Sequence, residues 1–136
     1  MPQIQRSSRF AGPALFAYVA VLLIGTHLPG NTLEQVSFSD HDKILHFAAY
    51  AVLSLLAFNF MSVHPVDSRK CFVLLSVSLA VFAALDELTQ IPVPGRFGSW
   101  GDWRADIAGI FVSLTLAACL AQYRRFRIAS LQRIRG

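Results

Sequence analysis

The stretch His41–Val63, HDKILHFAAYAVLSLLAFNFMSV, decides how this chain folds. After Lys43 it holds no formally charged side chain for about 20 residues, which is the length of a helix that crosses the bilayer core. Asp42, His46 and Tyr50 follow one another at intervals of four, so they share one face of such a helix. Because a polar group exposed to lipid costs several kcal/mol, this face predicts a contact with another part of the protein.

The composition around this stretch indicates an integral membrane protein of one domain. Of the 136 residues, 54% are hydrophobic and only 15% are charged, which is far from the composition of an ordinary soluble domain. We predict an all-α fold, a bundle of four transmembrane helices within residues 10–123, between a cytoplasmic N-terminus at 1–9 and a basic cytoplasmic tail at 124–136. The predicted spans are residues 10–28, 44–63, 71–88 and 105–123.

The first apolar run is predicted to be a retained span. The alternative is a cleavable signal peptide, whose apolar region runs about 7–15 residues and ends in small residues. The run from Phe10 to Leu28 is longer and ends in Gly-Thr-His-Leu-Pro-Gly, without such a cleavage site.

The basic residues predict the orientation. The N-terminus, residues 64–70 and the tail hold nine of the twelve Lys and Arg, whereas residues 29–43 and 86–106 hold seven of the eight acids. The positive-inside rule places both termini in the cytoplasm. The net charge of +4 does not predict nucleic-acid binding, because the basic residues flank apolar runs and no basic motif is interleaved with aromatics.

In this orientation the second and fourth spans begin on the outer side, and the first and third spans end there. We predict one polar pocket on that side. Acids on the last turn of the third span oppose the helix dipole, which marks them as functional candidates. His46 and Glu87 are the candidate acid–base pair, since a carboxylate can hold an imidazole tautomer. The candidate binding residues are Asp42, Lys43, Tyr50, Gln90, Arg96, Asp102 and Asp106.

Several of these residues have a simpler explanation. Ser39-x-x-Asp42 and Ser99-x-x-Asp102 fit capping boxes, and acids at helix starts, Asp106 included, stabilise the dipole. For His46, the simpler explanation is a packing role with a hydrogen bond to a backbone carbonyl. For Arg96, it is a side chain that extends to the membrane interface.

No metal site or cofactor is predicted. Asp42, His46 and Glu87 offer oxygen and imidazole ligands to a divalent cation, but no His-x-x-x-His or cysteine pair supports them. Cys71 and Cys119 do not form a disulfide framework, and apolar packing is the role we expect for them.

Two further features concern packing. The segment IPVPGRFGSWGDWR at 91–104 predicts a turn followed by a short interfacial segment, with Trp100 and Trp103 as anchors. Gly109 and Ser113 have small-xxx-small spacing, which permits close approach of helices.

Several short motifs follow one another in order along the chain: Asp42-Lys43-x-x-His46-Phe47-x-x-Tyr50-x-x-Leu53, Glu87-x-x-Gln90, Pro94-Gly95-Arg96-x-x-Ser99-x-x-Asp102 and Gly109. These ordered motifs resemble the VanZ-like family of small bacterial membrane proteins over roughly residues 40–115. The family usually has Asn at the position of Asp106 and Gly at that of Ser113.

This resemblance implies a protein of the bacterial cytoplasmic membrane that acts at the cell envelope, since the family is named after a protein linked to teicoplanin resistance. Our first hypothesis is a pocket that binds or modifies an anionic lipid-linked precursor or glycolipid, held by Lys43, Arg96 and two helix N-termini. The alternatives are a structural or accessory protein locked by internal hydrogen bonds, and a proton-coupled carrier. The sequence leaves the oligomeric state open.

Overall fold

The computed structural model describes residues 3–29, 39–62 and 68–135, and the side chains of residues 10–29, 42–62 and 69–133. Within these ranges no residue lies in a strand, which confirms the predicted all-α class. The helices are α1 (Gln3–Thr26), α2 (Ser39–Ser62), α3 (Ser68–Gln90) and α4 (Trp100–Arg135).

The helices extend beyond the predicted spans. α1 begins at Gln3 and contains Pro13, and α4 runs from Trp100 to Arg135 instead of ending at residue 123. Hydropathy marks only the part of a helix that suits lipid, whereas backbone hydrogen bonding continues through polar residues and does not depend on their side chains. Residues 91–99 form turns and irregular backbone, and Trp100 and Trp103 belong to the first turn of α4.

Three helices of the described chain are long and apolar enough to cross a membrane. They carry the segments Asp42–Ser62, Arg69–Gln90 and Trp100–Arg133, while the apolar part of α1, Phe10–Thr26, is shorter. Large apolar side chains are exposed along every helix, which a soluble monomer avoids. These apolar surfaces indicate a membrane protein.

Successive helices run antiparallel. Near one end of the bundle a Cβ on Gly12 of α1 would lie 3.4 Å from the ring of Phe60 in α2. At the other end, the Thr26 hydroxyl of α1 donates to Asp86 of α3 over 3.0 Å. The buried core lies between these ends and includes Leu22, Tyr50, Leu53, Ala57, Cys71, Leu75, Leu79, Ala83, Ile110 and Leu114.

The closest helix pair is α2 and α4, which share the most extensive contact in the described bundle. A Cβ on Gly109 of α4 would overlap the carbonyl oxygen of Phe47 and lie 3.2 Å from the amide nitrogen of Ala51. This confirms the predicted close approach at Gly109. Cys71 packs in the core as expected, whereas Cys119 is exposed on α4, and both thiols are free.

Candidate functional site

Polar side chains gather where α1 and α3 end and α2 and α4 begin. They form two groups with different surroundings. The Asp86 network consists of Thr26, His27, Tyr50, Asp86 and Gln90. The His46 cluster consists of His46, Glu87 and Asp106.

In the Asp86 network, side chains from three helices converge on one buried carboxylate. Thr26 of α1 donates to Oδ1 over 3.0 Å, and Tyr50 of α2 donates to Oδ2 over 3.2 Å. Gln90, one turn further along α3, donates to Oδ2 over 3.3 Å. His27 Nδ1 lies 3.8 Å from Oδ1, and its Nε2 lies 3.1 Å from the Thr89 hydroxyl. Both carboxylate oxygens of Asp86 therefore have donors, which is what a buried charge requires.

The His46 cluster joins α2, α3 and α4. His46 Nδ1 lies 3.0 Å from Asp106 Oδ1, a hydrogen-bond distance, and 3.9 Å from Glu87 Oε1. All three side chains are buried, and Asp106 is only 1% exposed. Glu87 Oε1 and Asp106 Oδ2 have no hydrogen-bond partner among the residues that the structure describes. Buried polar atoms without partners are rare and demand an explanation.

The start of α4 positions Glu87. The Ser99 hydroxyl accepts hydrogen bonds from the backbone N–H groups of Gly101 and Asp102, which confirms Ser99 as an N-cap. In a capping box the acidic residue would accept from the N-cap amide. Here Glu87 Oε2 takes that place instead, accepting from Ser99 N–H over 2.9 Å. The bond leaves Oε1 turned to His46. The other capping residue, Ser39, has its side chain outside the described residues.

The predicted binding residues Asp42, Lys43 and Asp102 lie near the His46 cluster, in the first turns of α2 and α4. Asp42 is exposed and Asp102 half-buried, and each offers a carboxylate oxygen within 4.8 Å of a ring nitrogen of His46. Lys43 is exposed, and its Cε would lie 3.3 Å from a Cβ on Gly101, so it flanks the N-terminus of α4.

Arg96 closes the end of α1. Its Nε donates to the carbonyl oxygen of Leu28 and its Nη2 to that of Gly25, each over 3.3 Å. These carbonyls belong to the last turn of α1 and its continuation, where the helix leaves acceptors unsatisfied. Gly95 precedes it with a φ of 75°, a conformation that glycine adopts without strain. Arg96 thus binds backbone oxygens in the last turn of α1 and just after it.

The two tryptophans of the 91–104 segment have different surroundings. Trp100 is exposed, as an interfacial anchor would be, whereas Trp103 packs against the core and donates its Nε1–H to the carbonyl oxygen of Ala80 over 3.4 Å. Their rings meet edge to face, with centroids 5.7 Å apart.

Sequence reasoning missed Thr26, His27 and the Ser99 backbone amide. The first two lie near the end of the apolar run from Phe10 to Leu28, and polar residues at that point of the sequence were the available signal. The partner of Glu87 had no such signal, because a backbone amide is present at every residue except proline.

Comparisons of this chain with protein-family models, with curated proteins and with solved structures find no match. The resemblance to the VanZ-like family stays a prediction from the ordered motifs.

Proposed function

We propose that this chain is a VanZ-like protein of the bacterial cytoplasmic membrane whose polar end binds the anionic head group of a cell-envelope lipid or glycolipid. The observation that carries the proposal is the His46 cluster. It places two unpartnered buried carboxylate oxygens beside an imidazole at the end of an otherwise apolar bundle. A group kept only for stability would have its polar atoms satisfied, as those of Asp86 are.

The proposal includes four membrane crossings with both termini in the cytoplasm. The apolar part of α1, Phe10–Thr26, rises about 25 Å at about 1.5 Å per residue, and slight thinning of the bilayer accommodates that length. The basic residues at 69–70 and 124–133 lie at the end of the bundle opposite the His46 cluster, which agrees with the positive-inside rule. The cluster then lies on the envelope side of the membrane.

An anionic head group would meet two helix N-termini and one exposed amine. α2 and α4 both begin beside the cluster, and their first N–H groups carry partial positive charge. Lys43 lies at the same end. The resemblance implies an effect on glycopeptide susceptibility. By the same proposal, the protein has this effect because it binds such a lipid.

The Asp86 network supports a second role, that of a structural lock, for its own part of the polar end. Its donors come from α1, α2 and α3, and none of the oxygens of Asp86 is without a donor. Networks of this kind fix the arrangement of helices. The two roles belong to different residues, so they are separable by mutation.

Lipid binding to the purified protein tests the proposal. Native mass spectrometry in detergent, with phosphatidylglycerol or phosphatidylethanolamine added in steps, gives the number and affinity of bound lipids. We expect one preferred anionic lipid. Lys43→Ala should weaken it about fivefold, because one cation near a head group contributes about 1 kcal/mol. Lys70→Ala, at the opposite end, is the matched control and should change the affinity less.

A second measurement links binding to the envelope. In a bacterium that depends on this protein for teicoplanin tolerance, His46→Ala should restore susceptibility while the protein still accumulates in the membrane. Equal affinity for the two lipids, or equal effects of Lys43→Ala and Lys70→Ala, would contradict the proposal.

A further inference from the structure

The His46 cluster holds two carboxyl groups and only one side chain that can carry a positive charge. Glu87 and Asp106 bring two carboxylates into a buried site with one imidazole, and one oxygen of each has no hydrogen-bond partner within the described part of the chain. Burial of ionised groups is unfavourable unless a counter-charge is present. Lys43 is exposed, and Arg96 donates to the carbonyl oxygens of Gly25 and Leu28, so within the described residues neither side chain is hydrogen-bonded to these two carboxylates.

The separation of the three groups suits a single metal ion. One ligand atom from each of His46, Glu87 and Asp106 lies within 4.8 Å of the other two. Two ligands that are about 2.1 Å from one ion at a tetrahedral angle lie about 3.4 Å apart. The distances from His46 Nδ1 to Asp106 Oδ1 and Glu87 Oε1, 3.0 Å and 3.9 Å, bracket that value.

The surroundings also orient the ligands. The Ser99 N–H group holds Glu87 Oε2 and leaves Oε1 turned to the imidazole. Outer hydrogen bonds of this type fix carboxylate ligands in metal sites. One imidazole nitrogen and two carboxylate oxygens favour zinc or another first-row divalent ion over Mg²⁺ or Ca²⁺, which prefer oxygen ligands alone.

We infer that His46, Glu87 and Asp106 bind one divalent transition-metal ion, and that this ion is the counter-charge through which an anionic head group enters an acidic pocket. The second clause rests on the proposed function. Three protein ligands leave a coordination position that a phosphate or carboxylate oxygen can fill. With a neutral imidazole, the ion cancels the charge of the two carboxylates.

A second set, Asp42, His46 and Asp102, shares the imidazole but lies nearer the surface. Its carboxylates are exposed or half-buried, so water can satisfy them without a metal. The inference assigns the ion to the inner set, and the experiment separates the two.

Zinc titration of the chelator-stripped full chain in detergent tests the inference. Calorimetry should show one equivalent of Zn²⁺ per chain, and elemental analysis after desalting should recover it. Mg²⁺ alone should give no binding at the same concentration. Glu87→Gln and Asp106→Asn preserve shape and should each weaken Zn²⁺ at least about 100-fold, because loss of an outer-shell partner alone costs about 10–100-fold.

Asp102→Asn removes one charge from the outer set and should change the affinity less than about threefold, since Asp102 is not a ligand of the inner set and solvent and salt reach its half-buried carboxylate. Zinc should also raise the thermal unfolding midpoint of the wild-type protein, a readout that needs no variant. The inference is overturned if zinc neither binds in one equivalent nor shifts that midpoint. It is also overturned if Asp102→Asn weakens zinc binding as much as Asp106→Asn does, or if Mg²⁺ binds as well as zinc.

The metal measurement contains no lipid, so it fails or succeeds independently of the proposed function. Lipid binding is then repeated with zinc and with chelator. Zinc binding without any lipid preference removes the proposed function and keeps the metal site. Lipid preference that is equal in zinc and chelator removes the link between them.

Discussion

Asp86 and Glu87 are neighbours in the sequence, and both are buried acids at the end of α3. Their surroundings differ because consecutive helical positions point about 100° apart. Asp86 faces α1 and α2 and meets hydroxyl and amide donors. Glu87 faces the start of α4 and meets one backbone N–H and an imidazole. Both carboxylate oxygens of Asp86 therefore have hydrogen-bond donors, whereas among the described residues only one of the two oxygens of Glu87 has one.

Matched isosteric variants test this difference. Asp86→Asn turns an amide NH₂ toward donors and should lower the free energy of unfolding by about 1–3 kcal/mol. Glu87→Gln in metal-free protein keeps an oxygen for Ser99 N–H and removes a buried charge, so it should cost less than about 1 kcal/mol. Denaturant titration in detergent, followed by circular dichroism, measures both. Equal losses would show that the two acids are equivalent.

The sequence predicted that these polar side chains lie at the same end of the bundle, but not which of them form hydrogen bonds with each other. Asp42, His46 and Tyr50 were expected to share one face and one partner. Each step of four residues turns the position by about 40° at 3.6 residues per turn. His46 accordingly meets Asp106 of α4, whereas Tyr50 meets Asp86 of α3. Pairings depend on where neighbouring helices cross, which spacing along one helix does not contain.

At the scale of elements, the contact of α2 with α4 depends on the absence of a side chain at Gly109. The carbonyl of Phe47 occupies the space of a Cβ there, and backbone cannot move aside as a flexible side chain does. The small-xxx-small spacing was sufficient to predict this contact. The ends of α4 were not predictable in the same way, because its polar extension carries no lipid signal.

Gly109→Ala should therefore force α2 and α4 apart and destabilise the fold by about 1–3 kcal/mol, the usual cost of overpacking. Gly25→Ala is the matched control, since a Cβ there meets nothing within 4 Å and helix propensity favours alanine by about 0.5–1 kcal/mol. Thermal unfolding of the two variants in one detergent compares them. A tolerated Gly109→Ala would show that the helices are further apart than described.

At the scale of the molecule, apolar runs and the turns between them were enough to predict the helices and their antiparallel order. Their orientation in the membrane is a proposal from charge, and cysteine labelling in intact cells tests it. In a Cys119→Ala background, the buried Cys71 should stay unlabelled. An impermeant maleimide should label Phe97→Cys directly, because residue 97 is 88% exposed in the loop before α4.

Arg127→Cys, on the exposed extension of α4, should be labelled only after the cells are permeabilised. The reverse pattern would invert the orientation and turn the His46 cluster to the cytoplasm. Labelling of both positions in intact cells would point to damaged membranes, and a cytoplasmic marker protein with an exposed cysteine controls for it.

In the proposed orientation, the length of α4 sets the depth of the His46 cluster in the bilayer. From Asp106 to Arg124 the helix rises about 27 Å at about 1.5 Å per residue, close to the thickness of about 30 Å of the hydrocarbon layer. Arginines at the cytoplasmic boundary would then hold the Asp106 carboxylate just beneath the outer boundary. A thinner bilayer would expose the cluster to water, and a thicker one would bury it more deeply in lipid.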